Sequence, residues 1–262
     1  MQFSQRPIPD LSQIRGRRGA RQHPIDLESI EDTEPSVNIL LHGVAGENYY
    51  YSENNPPYMH RAPGAMPELY VREGVLARLL LVNKKLSPLG IELFVFDAYR
   101  PAEVQTYFHD VWVPKYLHQV HPDWSVEEVA REVNNYWAPG FPHKRDINPL
   151  SPPPHATGGV VDLSLRQCDT HELLFMGADF DVVAPISFAD HFEREAGLRA
   201  LTNAEILAMG NRRILHHVMV EAGFVAHPNE WWHFGYGDQL SAFNSGAPHA
   251  VYSIMWLPGE AR

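Results

Sequence analysis

Apolar residues recur with helical spacing in four stretches of the chain. In the first, leucines and valines between Glu68 and Leu86 repeat every three or four positions, and the pattern ends at Pro88-Leu89-Gly90. The same spacing predicts three further helices, at residues 102–118, 125–137 and 202–222. Pro101 suits the first turn of the second helix. A Ser or Thr followed three residues later by Glu predicts a capping box at the start of the last two.

Shorter apolar stretches predict strands at residues 36–44, 91–100, 159–165 and 224–236, the last as a strand pair or one bent strand. Within the third stretch, Val161, Leu163 and Leu165 share one face. Asp162 lies on the other face, because successive strand residues point to opposite sides. We therefore expect Asp162 to point away from the apolar core, toward a side where a site can form.

The domain organisation follows from where these patterns begin. Residues 1–35 are polar and lack periodicity, which predicts an extended or partly ordered N-terminal arm. Residues 36–262 contain no internal repeat and no linker-like segment. Helices and strands are mixed along this part, so we expect one α+β domain whose strands frame a site.

Composition limits the class of function. The chain has 262 residues and a formal net charge of −11, which argues against a general nucleic-acid binder. Its apolar runs are far shorter than the roughly 20 residues of a membrane span, and its first residues lack the apolar region of a secretory signal. The single cysteine, Cys168, excludes an intrachain disulfide. We expect a cytoplasmic protein that binds neither nucleic acid nor membrane.

The segment SPPPHATGGVVDLSL, residues 151–165, contains the first candidate site residues. His155 precedes the strand that carries Asp162, and Gly158-Gly159 between them can turn the chain so that the two side chains meet. A glycine turn followed by an exposed aspartate explains the segment equally well when it is taken alone. The choice depends on whether another part of the chain supplies partners.

The segment NEWWHFGYG, residues 229–237, supplies such partners. Glu230 and His233 lie among tryptophans and a phenylalanine, where an unpaired carboxylate or imidazole would be costly to bury. Zinc favours His and Asp ligands, and a catalytic site commonly has three protein ligands, here His155, Asp162 and His233. Glu230 is then a base for the attacking water. The alternative is an aromatic core strand with a hydrogen-bonded histidine.

Two further motifs carry charged residues. Arg100 ends the predicted strand 91–100, where it either clamps Asp97 or a loop carbonyl, or faces the site to bind a carboxylate or stabilise an oxyanion. The sequence MGADFD contains Asp179 and Asp181, which form either a solvated acidic loop or a site for a cation such as a free amine.

Four motifs together, H-x-x-G-x-x-x-D, E-x-W-H, D-x-Y-R-P and M-G-x-x-F-D, resemble the zinc D-alanyl-D-alanine dipeptidases of the VanX type, which share their fold with the Hedgehog signalling domain. The resemblance covers roughly residues 36–240 and also includes the sequence Asn211-Arg212-Arg213. It implies a single α+β domain with a central antiparallel sheet and flanking helices.

The resemblance also implies a role for each matched residue. It makes His155, Asp162 and His233 the ligands of one zinc ion per chain, Glu230 the catalytic base and acid, Arg100 the stabiliser of the tetrahedral intermediate, and Asp181 the partner of the substrate α-amine. One position departs from the family. Members often carry a hydroxyl residue two positions before the first histidine, whereas this chain has Pro153, which offers neither a hydroxyl nor an N–H.

The predicted function is therefore hydrolysis of D-Ala-D-Ala or a similar small dipeptide by a zinc metallopeptidase, with a role in cell-wall peptidoglycan metabolism. One alternative is a D,D- or L,D-carboxypeptidase that trims peptidoglycan stem peptides. Another is a non-catalytic zinc-containing binding protein of the Hedgehog kind. The presence of Glu230 beside the three ligands argues against this last alternative, because binding alone does not require a base.

Overall fold

A five-stranded sheet forms the centre of the computed structural model, which describes residues 3–260. The strands of the chain, in order, are β1 Ser36–Asn38, β2 Ala45–Gly46, β3 Tyr70–Arg72, β4 Ile91–Asp97, β5 Val160–Gln167, β6 Val225–Ala226 and β7 His233–Gly235. Strands β1 and β3 form a separate antiparallel pair. The large sheet has the order β2-β4-β5-β7-β6, and every pair in it is antiparallel except β2 with β4.

Helices surround this sheet, as predicted. They are α1 Glu73–Leu86, α2 Ala102–Tyr107, α3 Val113–Val120, α4 Val126–Tyr136, α5 His191–Ala196, α6 Asn203–Glu221 and α7 Gln239–Ser245. A π-helical turn, Phe108–Trp112, joins α2 to α3. Among residues 3–260, no helix combines the length and the apolar character that a membrane crossing requires.

The predicted helices are confirmed with small changes at their ends, except that the π-helical turn divides the helix predicted at 102–118 into α2 and α3. Both predicted capping boxes are present at the starts of α4 and α6. The first helix begins at Glu73, five residues after the predicted start, because Tyr70–Arg72 pairs with β1 instead. The predicted strand at 36–44 is shorter, since the Asn38 side chain accepts a hydrogen bond from Leu40 N and starts a 3₁₀ turn.

The apolar core lies between the sheet and the helices α1 and α6. Leu93 of β4 and Leu163 of β5 are fully buried, and they belong to the same apolar cluster as Leu79 of α1 and Leu215 of α6. This packing fixes one face of β4 and β5 against the helices. The alternate residues of β5, which include Asp162, therefore lie on the opposite face.

The N-terminal residues lie against the domain. Ile8 and Leu11 pack on Ala189, and Ile25 forms a β-bridge with Ala250. The division into an arm, 1–35, and a domain, 36–262, stays a prediction, and both segments include terminal residues outside the described range.

Gly158 ends the 3₁₀ turn that leads into β5. Its conformation and its close packing can be tested by substitution. Its φ of 69° is left-handed, and an added Cβ would collide with Sδ of the buried Met255. Gly90 has the same φ of 69° but open space around it. Both alanine variants incur the left-handed strain of about 1–2 kcal/mol. We expect Gly158→Ala to lower the free energy of unfolding by about 1–3 kcal/mol more than Gly90→Ala, owing to overpacking.

Urea denaturation of the two variants at one fixed zinc concentration measures this difference. Equal losses of stability would show that Met255 moves aside without cost.

Candidate active site

Three side chains of the site are aligned by the pairing of neighbouring strands. Asp162 of β5 lies opposite Asp97 of β4 and opposite His233 of β7, and directly paired residues point to the same face. A bulge in β4 after Val95 produces this alignment. In regular register Asp97 would lie opposite Val161, on the apolar face. The bulge therefore brings a second carboxylate to the face that carries Asp162.

His155 reaches the same face from the turn before β5. It lies in the 3₁₀ turn Pro154–Thr157, which Gly158 ends. Nδ1 of His155 lies 2.8 Å from the carbonyl oxygen of Ala98. Because a carbonyl only accepts, Nδ1 carries the hydrogen and the free lone pair is on Nε2, 3.3 Å from Asp162 Oδ2. Burial holds the pKa of His155 well below its ordinary value, so the ring is neutral.

The three residues predicted as metal ligands lie together. One ligand atom each from His155, Asp162 and His233 lies within 4.8 Å of the others. His233 Nδ1 is 3.2 Å from Asp162 Oδ1, yet this buried oxygen accepts no hydrogen bond from any described residue. Bonds of about 2.1 Å place two ligands of a tetrahedral zinc ion roughly 3.4 Å apart. The donor set, its spacing and the unsatisfied oxygen fit a zinc ion.

Glu230 lies beside this group. Its Oε2 is 3.2 Å from His233 Nδ1 and 3.7 Å from His227 Nδ1. Burial raises the pKa of Glu230, but these two histidines outweigh it and lower the pKa overall, so the side chain is a carboxylate. Burial opposes protonation of His233, yet Asp162 and Glu230 raise its pKa to about 10. The surroundings of His233 Nδ1 therefore favour a positive charge.

Arg100 contacts Asp97 and also faces the cavity, so its two predicted positions are not exclusive. Its Nε donates to Asp97 and its Nη1 to Gln105, while Nη2 donates to Tyr50 Oη and to Asp162. Burial alone would lower the pKa of Arg100, but the neighbouring hydroxyl and carboxylates raise it overall. Arg100 is thus both a clamp for Asp97 and a fixed positive charge in the site.

Asp181 lines the same cavity and is linked to Arg100 through Tyr50. Its backbone is left-handed, with a φ of 60°, and its Oδ2 accepts hydrogen bonds from Tyr50 at 2.6 Å and Tyr58 at 2.8 Å. Burial and the charge of Asp162 raise the pKa of Asp181 to about 7. Asp179 is not among the described residues that line the cavity.

One cavity of about 320 Å³ brings the predicted residues together, and they line it as follows: Arg100, His155, Asp162, Asp181, Glu230 and His233. Sequence reasoning missed several residues that line the cavity or contact these side chains, namely Arg21, Tyr50, Tyr58, Gln105 and His227. His227 had a local signal, since it lies in the predicted strand stretch 224–236, three positions before Glu230. Gln105 lies five residues after its partner Arg100, whereas Arg21, Tyr50 and Tyr58 come from segments distant in sequence.

Comparison with known proteins adds independent findings. The model of a family described as D-ala-D-ala dipeptidase matches residues 36–251. A D-alanyl-D-alanine dipeptidase of Synechocystis sp. is 32% identical over 82% of this chain and 87% of its own length. One of Enterococcus faecalis is 28% identical over 76% of this chain and 88% of its own length.

A crystal structure of a VanY D,D-pentapeptidase mutant in complex with Zn(II) is also similar. It is 14% identical, covers 71% of this chain and 83% of its own, and superposes with a TM-score of 0.39. This similarity is too low to support an argument.

The geometry predicts that Asp162, and not the nearby Asp179, contributes to zinc binding. We expect Asp162→Asn to weaken zinc binding by at least about 100-fold, more than the 10- to 100-fold typical of residues that only orient a ligand. Asp179→Asn is the control, because Asp179 lies nearby but outside the cavity lining. Competition with a chromogenic chelator measures both affinities. An unchanged affinity in Asp162→Asn would exclude this residue as a ligand.

Proposed function

Because the chain belongs to the D-ala-D-ala dipeptidase family, we propose that it is a zinc metallopeptidase that hydrolyses D-Ala-D-Ala or a similar small dipeptide. The observation that carries the proposal is that one cavity holds two histidines and an aspartate spaced to suit a metal ion, a buried carboxylate, a buried guanidinium and a second acidic group. The proposal includes a cytoplasmic location, which the single cysteine favours, and a role in peptidoglycan metabolism.

His155, Asp162 and His233 would hold one zinc ion per chain. A zinc ion at such a site supplies Lewis-acid polarisation of the scissile carbonyl and lowers the pKa of a water molecule. The protein contributes ligand orientation: the Ala98 carbonyl fixes the tautomer of His155, and Arg100 holds Asp162 through Oδ2.

Glu230 would move the proton during hydrolysis. Its lowered pKa keeps it ionised at neutral pH, so it can accept a proton from the attacking water. The same carboxyl group can then donate this proton to the amine that leaves, as a general acid. Its position beside His233 puts it next to the proposed ligands.

Arg100 would stabilise the negative charge that develops on the carbonyl oxygen. A guanidinium has five N–H donors, and four hydrogen bonds already engage Arg100. It therefore acts mainly as a preorganised positive charge, with one N–H left to donate. Buried charges that need no reorganisation are effective in this role.

Asp181 would bind the free α-ammonium of the dipeptide. The hydrogen bonds from Tyr50 and Tyr58 both go to Oδ2, which leaves Oδ1 for the substrate. A buried carboxylate in the lining of the cavity favours a short substrate with a free amine over a longer stem peptide. This feature favours a dipeptidase over a carboxypeptidase.

The role of Glu230 is tested by Glu230→Gln. We expect kcat on D-Ala-D-Ala to fall by about 10²- to 10⁴-fold, because general acid–base transfer is lost, while zinc content stays at one ion per chain. The exposed Glu53 provides the matched control Glu53→Gln. Turnover near the wild-type rate in the zinc-loaded Glu230→Gln variant would contradict the mechanism.

The role of Asp181 is tested by Asp181→Asn on three substrates: D-Ala-D-Ala, its N-acetyl derivative and a stem pentapeptide. We expect KM for the dipeptide to rise by about 10- to 100-fold with loss of the charged hydrogen bond, and the weak activity on the acetylated peptide to stay unchanged. In the wild type, KM should also rise as pH falls through about 7, because protonation of Asp181 removes its charge.

This pH dependence of KM should be absent from Asp181→Asn. Release of D-Ala by the wild type from the pentapeptide alone would show that the protein is a carboxypeptidase.

A further inference from the structure

Arg21 is a charged residue of the cavity that the roles above leave unused. It comes from the N-terminal segment, outside the residues that match the family model. Its side chain lines the same cavity as His155 and Glu230, together with Pro154. Arg21 therefore borders the cavity in which the proposed substrate would bind.

The position of Arg21 is fixed by hydrogen bonds. Its backbone oxygen accepts from Nε2 of the buried Gln239, at 3.2 Å. That same amide nitrogen also donates to Leu150 O at 3.1 Å and to His23 O. The Arg21 side chain donates from Nε to Ser151 Oγ at 3.2 Å and from Nη2 to Ser151 O at 3.0 Å. Arg21 is therefore held at the cavity wall, not free in solvent.

Its charge lacks a carboxylate partner among the described residues. Both hydrogen bonds of its side chain go to the uncharged Ser151, and burial lowers the pKa of Arg21 with no acidic group to offset it. The three acidic residues among the described lining already have other partners: Asp162 has Arg100, Asp181 has two tyrosine hydroxyls, and Glu230 has two histidines. A half-buried, unneutralised guanidinium favours an anionic ligand.

The donors that remain on Arg21 suit a carboxylate. Of the five N–H groups of an arginine, Nε–H and one Nη2–H are used on Ser151, so both Nη1–H groups and one Nη2–H remain. The two Nη atoms can grip the two oxygens of a carboxylate side by side. Pro154, which lines the cavity with Arg21, has no backbone N–H to offer. Arg21 thus supplies N–H donors beside Pro154.

We propose that Arg21 binds the C-terminal α-carboxylate of the dipeptide substrate and makes a free carboxylate a requirement for good substrates. This inference rests on the proposed function and deepens it. Asp181 then binds the ammonium end and Arg21 the carboxylate end, so the cavity recognises both charges of a zwitterionic dipeptide. It also gives the N-terminal segment a direct part in substrate selection.

The experiment compares D-Ala-D-Ala with its C-terminal amide, which lacks the negative charge. Zinc-loaded wild type, Arg21→Gln, Arg21→Lys and Arg18→Gln are assayed on both peptides. Arg18 is the matched control, because it is an exposed arginine three residues away. We expect the wild type to prefer the acid, and Arg21→Gln to raise KM for the acid by about 10- to 100-fold with little change in kcat or in activity on the amide.

Arg21→Lys should keep part of the preference, and Arg18→Gln should keep all of it. An unchanged preference in Arg21→Gln would overturn the inference, as would an equal loss on both peptides, which indicates a structural role. If the wild type hydrolyses neither peptide, the proposed function fails. Calorimetry then measures the affinity of the same proteins for the two peptides, which tests whether Arg21 binds the carboxylate. Equal affinities of wild type and Arg21→Gln for the acid would then overturn the inference.

Discussion

Asp162 is a carboxylate in the middle of the sheet with 1% of its surface exposed, and it can be ionised there only because cationic groups surround it. Burial raises its pKa, whereas His233 and Arg100 oppose this rise. Asp97 adds a second buried carboxylate directly opposite, and burial raises its pKa to about 7. Arg100 alone does not balance the charge of these two carboxylates when both are ionised. A divalent cation held by the histidines would supply the missing positive charge.

The buried charges lie on the sheet, whereas the residues proposed to recognise the substrate lie outside it. Asp162 and His233 lie on paired strands, and rigid strands hold ligands and charges in fixed geometry. Asp181 and Arg21, by contrast, line the cavity from outside the sheet, Asp181 from a loop and Arg21 from a 3₁₀ turn of the N-terminal segment. In the proposed function the sheet therefore determines the reaction, and the surrounding segments determine which peptide reaches it. Changes in those segments can alter the substrate without disturbing the metal site.

From the sequence, a residue of the cavity can be predicted when its immediate neighbours along the chain mark it as unusual. His233 stands out because ionisable groups lie among tryptophans, and Asp162 because it interrupts an apolar strand. The position of Asp97 depends on a bulge in β4, which no pattern of apolar residues encodes. Tyr58 and Arg21 reach the site over more than 100 residues of sequence, and no periodicity predicts which loop or arm residue closes a cavity. Pairing register and long-range packing, rather than residue type, determine these contacts.

In the proposed function, the charges of Asp181 and Arg21 give a bound dipeptide one direction. An ammonium is attracted by Asp181 and repelled by Arg21, whereas a carboxylate experiences the opposite. Glu230 and Arg100 lie in the same cavity, so a dipeptide held by its two ends presents its single amide bond to both. A peptide extended beyond its amine would bring a neutral amide to Asp181, whose Oδ2 already accepts hydrogen bonds from Tyr50 and Tyr58. In the proposed function, the same electrostatic arrangement thus favours a short zwitterion over a longer peptide.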